Sequence, residues 1–209
     1  MSHVVLLGDS IFDNAAYVGG GPDVVAQLRP LLPAGWRATL RAVDGAVTVG
    51  ISRQLQQLPA DASHLVISTG GNDALGQSGV LDERAFSIAG AVDRLAGVRE
   101  RFQHDYRAML DTVMARRLPT AVCTIYDTRY PDAQRQRLVV TALTVFNDAI
   151  TREAFSRGLP LIDLRLLCDE DEDYANPIEP SVHGGAKIAR AIAALVTAPA
   201  ARRPEVYAR

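Results

Sequence analysis

Gly8-Asp9-Ser10 follows directly on the apolar run Val4-Val5-Leu6-Leu7, ten residues into the chain. A buried strand ending in a small, polar turn presents a hydroxyl at the edge of a sheet, as the nucleophile elbow of the α/β-hydrolase fold does. The tripeptide alone is also an ordinary turn composition. Its weight comes from the groups that follow it, Gly45, Gly70-Gly71-Asn72-Asp73 and His183. A serine, glycine-flanked polar turns and a late imidazole, in that order, point to a serine hydrolase.

The elements that must hold these residues alternate. Val4–Leu7, Ala38–Val43, Leu65–Ser68, Thr120–Ile125 and Pro160–Leu164 read as strands. Helical spacing runs through Asp23–Arg29, Thr48–Leu58, Gln134–Arg157 and Ala186–Val196, and through a long stretch from Asp82 to Arg117 with a break expected near Gly90 or Gly97. Strands separated by helices require parallel crossovers. Short, wholly apolar strands suit a sheet covered on both faces. The expected fold is α/β, a three-layer sandwich around a central parallel sheet of five strands. Ser10, Gly45 and Asn72 each follow a strand's carboxyl end, where open parallel sheets bind ligands. His183 precedes the last helix, and packing that helix beside the first strand would carry it to the same edge.

Together Gly8-Asp9-Ser10, Gly45, Gly70-Gly71-Asn72-Asp73 and His183 resemble the four sequence blocks of the SGNH (GDSL-type) hydrolases. The blocks span residues 8 to 183, nearly the whole chain. The resemblance implies a flavodoxin-like sandwich and hydrolysis of a small-molecule ester. It assigns Ser10 as nucleophile, Ser10, Gly45 and Asn72 as oxyanion donors, and His183 as general base. The chemistry asks for these types: a serine hydroxyl needs a base within hydrogen-bond reach, imidazole takes and returns a proton near neutral pH, and fixed donors stabilise the oxyanion. The route is attack by Ser10, an acyl-enzyme, and hydrolysis by water. A binding module that keeps the site without turnover, and an acyltransferase using the same residues, are the alternatives.

One position departs from the pattern. The acid of such sites lies three residues before the histidine, and here that position is Pro180. Glu179 is the first choice for the acid; a Ser-His dyad, with a backbone carbonyl holding the ring, is the other. Asp13, Tyr126 and Tyr130 are candidate substrate contacts, and the segment 128–138 a candidate wall of the acyl pocket. Asp9 reads as a brace for the turn.

Other features exclude chemistry. The run Asp169-Glu170-Asp171-Glu172-Asp173 fails the calcium-loop register, with Tyr174 at the turn-glycine position and Pro180 at the bidentate position; it reads as a solvated loop. Gly19-Gly20-Gly21 lacks the spacing and preceding strand of a dinucleotide site, and no P-loop lysine pattern occurs. Neither metal nor cofactor is expected. A net charge of −2 gives no footprint for nucleic acid, and no apolar run approaches the ~20 residues of a membrane span. Cys123 and Cys168 read as reduced thiols. With no leader pattern at the N-terminus, a cytoplasmic location is the expectation. One domain over 1–196 and a loose tail over 197–209 complete the reading; the sequence carries no sign of oligomeric state.

Overall fold

A computed structural model describes residues 2–198, so most of the expected tail, from residue 199 on, lies outside the described residues. In chain order the elements are β1 (His3–Gly8), α1 (Val24–Leu28), β2 (Arg37–Leu40), α2 (Ile51–Leu55), β3 (His64–Ser68), α3 (Gly71–Gly76), α4 (Ile88–Met114), β4 (Thr120–Cys123), α5 (Ala133–Ser156), β5 (Leu161–Ile162), α6 (Leu164–Leu167), β6 (Tyr174–Asn176), β7 (Glu179–Pro180) and α7 (Val182–Thr197). Strands β1 to β5 form one parallel sheet in the order β2-β1-β3-β4-β5, and β6 and β7 pair antiparallel beside it. This is the flavodoxin-like order, with its switch point between β1 and β3.

The period-2 alternation of a strand divides the core. Val4 and Leu6 pack with Val24 and Leu28 of α1 and Ile188 and Ile192 of α7. Val5 and Leu7 face the other way, against Ile51 and Leu55 of α2, Phe102 and Leu110 of α4, and Phe146 and Ile150 of α5. Both faces are therefore covered, which is why β1 is apolar from Val4 to Leu7.

Several expected boundaries move, and two of the shifts have clear causes. Helix α4 runs unbroken through Gly90 and Gly97. Each glycine costs only about 1 kcal/mol relative to Ala, and burial of Val98, Phe102, Tyr106, Met109, Leu110 and Val113 along one stripe outweighs that. Strand β2 stops at Leu40 because the N–H groups of Arg41 and Ala42 both donate to the Leu6 carbonyl, at 2.8 and 2.9 Å, which takes the chain out of the ladder. The β6–β7 pair was not expected, since neither strand carries an apolar alternation.

Two buried amides finish strands at the edge where the site lies. Gln54 of α2 accepts from the Gly8 N–H at 2.8 Å and donates to the Gly8 carbonyl at 2.7 Å. Asn147 of α5 does the same for Ile125, at 2.8 Å in each direction. Gly8 itself has φ +133° and lies so near β3 that a Cβ would fall 1.8 Å from the Ser68 carbonyl oxygen, so only glycine fits. Helices α4 and α5 are joined at Glu153. Burial alone would raise its carboxyl, but hydrogen bonds from Arg107, Gln103 and Arg157 outweigh that and hold it at about 2.

Replacing Gln54 by Leu keeps the volume and strands the buried Gly8 N–H. The expected loss is about 1–3 kcal/mol of unfolding free energy, measured by denaturant titration; an unchanged midpoint would show that the amide is dispensable.

Candidate active site

Ser10 sits at the switch point. The Asp9 N–H donates to the Ser68 carbonyl at 3.1 Å, and the Asp9 carbonyl accepts from Phe12 and Asp13 at 3.2 and 3.1 Å. That turn lifts Ser10 off the end of β1 yet leaves it only 6% exposed. Its Oγ donates to Glu179 Oε1 at 3.1 Å. Glu179 is fixed from both sides: Asn176 Oδ1 accepts from the N–H of Ile178 and of Glu179, each at 3.0 Å. Tyr126 Oη donates to the Ile178 carbonyl at 2.7 Å, and Asn14 Nδ2 to the Pro180 carbonyl at 3.2 Å. Asn14 Oδ1 in turn accepts from the Val24 N–H at 3.0 Å, joining β7 to the start of α1.

The electrostatics follow from burial. Desolvation pushes the Glu179 carboxyl up to about 7, against the pull of the Ser10 hydroxyl and helped by the charge of Asp44. Asp9, also buried, is pushed up to about 8 by desolvation; the Ile11 N–H opposes this, while Glu179 and Asp73 add to it. The second carboxylate oxygen of Glu179 is buried and has no hydrogen-bond partner among the described residues.

Asn72 lies in the first turn of α3, half-buried, and its Nδ2 donates one hydrogen to the Ala46 carbonyl at 3.0 Å. The other hydrogen stays free for a ligand, since the amide has two. Asp73 ties the same two loops: its Oδ2 accepts from the Thr48 N–H at 2.9 Å and from Thr48 Oγ1 at 3.0 Å. Gly45, φ +76°, stands in the turn thus held, but it is exposed and is not part of the cleft wall.

The structure does not bring His183 to Ser10. Its ring Nε2 lies 3.5 Å from Glu170 and 3.7 Å from Asp173, with the side chain about half exposed. The cause is the register of α7. Ser181 caps this helix, accepting from the N–H of His183 and Gly184. Gly184 packs so closely on Asp173 that a Cβ would fall 2.2 Å from its carbonyl oxygen. Residues i and i+4 share a helix face, so His183 points the way Lys187 does, and Lys187 Nζ reaches Glu170 at 2.6 Å and Asp173 at 2.9 Å. The expected acid, Glu179, therefore touches the hydroxyl itself and no imidazole. The acidic run also differs from a solvated loop: Asp173 is fully buried, and residues 171–173 form a capped 3-10 turn. Ligand atoms of Glu170, Asp173 and His183 lie within 4.8 Å of one another, but the Lys187 ammonium already bridges the two carboxylates.

Ser10, Asp9, Asn72 and Glu179 line a cleft with an empty volume of about 920 Å³, open solvent included. The rest of its wall is largely apolar, from Val80 and Leu81 before α4, Leu95 and Val98 on α4, and Val139, Leu143 and Phe146 on α5. Tyr126 and Tyr130, the candidate substrate contacts, are among its lining residues, with Thr128, Arg135 and Val139 in and next to segment 128–138. Asp13 does not: its Oδ2 accepts from the Asp44 N–H at 3.0 Å and braces a loop. Sequence reading missed Gln54 and Asn176. No local motif marks them, since each acts through a backbone group distant in the chain or in an unexpected strand pair.

Comparison with known proteins agrees with this architecture. The extracellular lipase of Streptomyces rimosus superposes with a TM-score of 0.66 at 19% identity, over 94% of this chain and 100% of that one. The lipase Lip_vut3 from a goat rumen metagenome gives 0.69 at 16% identity, over 93% and 97%. Est24, a carbohydrate acetylesterase from Sinorhizobium meliloti, gives 0.66 at 11% identity, over 94% and 98%. At these identities the likeness is one of fold. No curated protein sequence matches, and no described helix is long and apolar enough to cross a membrane. A family model does match, over residues 6–191, and so takes in Ser10, Asn72 and Glu179 alike; this chain belongs to the GDSL-like lipase/acylhydrolase family.

Proposed function

We propose that this chain is a serine esterase, which hydrolyses a small-molecule carboxylic ester by attack of Ser10 and passage through an acyl-enzyme. The observation that carries the reading is the buried Ser10 hydroxyl, bonded to a carboxylate at 3.1 Å at one end of an apolar cleft. Family membership supports the reaction class. A hydroxyl held against a base is the arrangement that makes a serine nucleophilic. The Ser10 N–H and the free hydrogen of Asn72 Nδ2 are the donors for the oxyanion, with Gly45 in the turn that Asn72 holds. Val98, Val139, Leu143 and Phe146 suit an apolar acyl chain lying between α4 and α5.

Ser10→Ala is expected to abolish both p-nitrophenyl ester hydrolysis and labelling by a fluorophosphonate. A native protein that neither hydrolyses nor labels would instead be the silent binding module. Asn72→Ala is expected to lower turnover by about 10²–10³, read as kcat on the same esters; wild-type kcat would remove Asn72 from the oxyanion site. Filling the cleft with Leu143→Trp should move the preferred acyl chain toward shorter esters in a chain-length series. An unmoved preference would place the chain elsewhere.

A further inference from the structure

We infer that Glu179 is the general base of this site, exchanging the proton with Ser10 directly, and that His183 has no part in the reaction. This rests on the ester-hydrolase reading above and names its proton acceptor. The Ser10 Oγ is bonded to Glu179 Oε1 at 3.1 Å, while the imidazole is turned toward Glu170 and Asp173. An acid that oriented a catalytic imidazole would accept its N–H, but the remaining oxygen of Glu179 has no partner. The spacing expected between acid and histidine recurs earlier in the chain, as Asn176 and Glu179, with Asn176 holding the Glu179 N–H at 3.0 Å. The carboxylate thus occupies the station of the base and an amide that of its orienter.

The steps balance without any other group. As Oγ attacks the carbonyl carbon, its proton passes to the Glu179 carboxylate and the C–O bond to the alcohol breaks. The protonated carboxyl returns that proton to the departing alkoxide. In the second half Glu179 takes a proton from water, the hydroxide oxygen bonds to the acyl carbon, and the Ser10 Oγ leaves and recovers the proton. A carboxylate in water is a weak base, but burial brings this one to about 7, where a base is best matched to neutral pH. The groups that face it are Asp9 and Tyr17 from the loop after β1, Asp44 from the loop after β2 and Tyr126 from the loop after β4. No described cation pairs with it.

The test compares kcat/KM for a p-nitrophenyl ester across pH in the native protein, Glu179→Gln and His183→Ala. The native rate should rise with pH through a limb near 7. The variants decide which group carries that limb. Glu179→Gln should lose about 10²–10⁴ in rate and the limb with it, while His183→Ala keeps both. Loss of rate and limb in His183→Ala, with Glu179→Gln unimpaired, overturns the inference alone. A native protein that neither hydrolyses nor takes a fluorophosphonate overturns this reading and the ester-hydrolase reading together. Because the folded Glu179 pKa lies above the unfolded one, ionising it costs stability as pH rises from about 4 to 7. Glu179→Gln should therefore unfold at a higher temperature than the native protein at pH 8, and lose that advantage at pH 4. If this variant fails to fold, the native limb and its survival in His183→Ala decide.

Discussion

A carboxylate buried beside a hydroxyl, with one oxygen satisfied and the other bare, is the constraint on which this molecule turns. Burying such a group without full pairing is costly, so it persists only where the surrounding structure holds it in place. Here the holding is done by neutral polar groups, one acceptor and two donors. Asn176 fixes the Glu179 N–H, while Tyr126 and Asn14 fix the carbonyls on either side of it. None of them brings a positive charge, and a cation in that place would have drawn the carboxyl down. In the reaction proposed above, stability is given up at the residue that has to stay an unquenched proton acceptor.

The same logic separates the two clusters of acid in the C-terminal part of the chain. Asp173 and Glu170 are matched by Lys187, with His183 alongside, and that group fastens α7 to the turn before β6. Glu179, on the second strand of the short hairpin, has no such partner. Cations pair with Asp173 and with Glu153 between α4 and α5, although Asp173 also keeps one buried oxygen without a hydrogen bond. Asp9 and Glu179, which no described cation pairs with, lie in the cleft.

Most of the frame was legible in the sequence because it is written in local terms. Apolar runs of four to six residues gave all five strands of the sheet, and periodicity located α5 and α7. Gly8-Asp9-Ser10 and Gly70-Gly71-Asn72-Asp73 fell at the ends of β1 and β3, where the topology makes them meet. Two things were not legible. The direction of the His183 ring depends on the Ser181 cap and on the contact of Gly184 with Asp173, and contacts across the fold leave no periodic trace. The strand pair that presents Glu179 is short and polar, so no alternation announced it. The departure at Pro180 was the visible sign that the C-terminal block had changed, and Glu179 was the residue it singled out; the structure puts that residue against the Ser10 hydroxyl rather than behind a histidine.

The most direct measurement is a crystal structure of the protein carrying a phosphonate adduct on Ser10, which mimics the tetrahedral intermediate. The Glu179 carboxyl should lie within hydrogen-bond distance of the Ser10 Oγ or of the leaving-group position. The phosphonyl oxygen should be held by the Ser10 N–H and Asn72 Nδ2, with His183 still beside Glu170 and Asp173. An adduct in which the His183 ring has swung in to contact Oγ, with Glu179 displaced behind it, would contradict the direct exchange of a proton between hydroxyl and carboxylate.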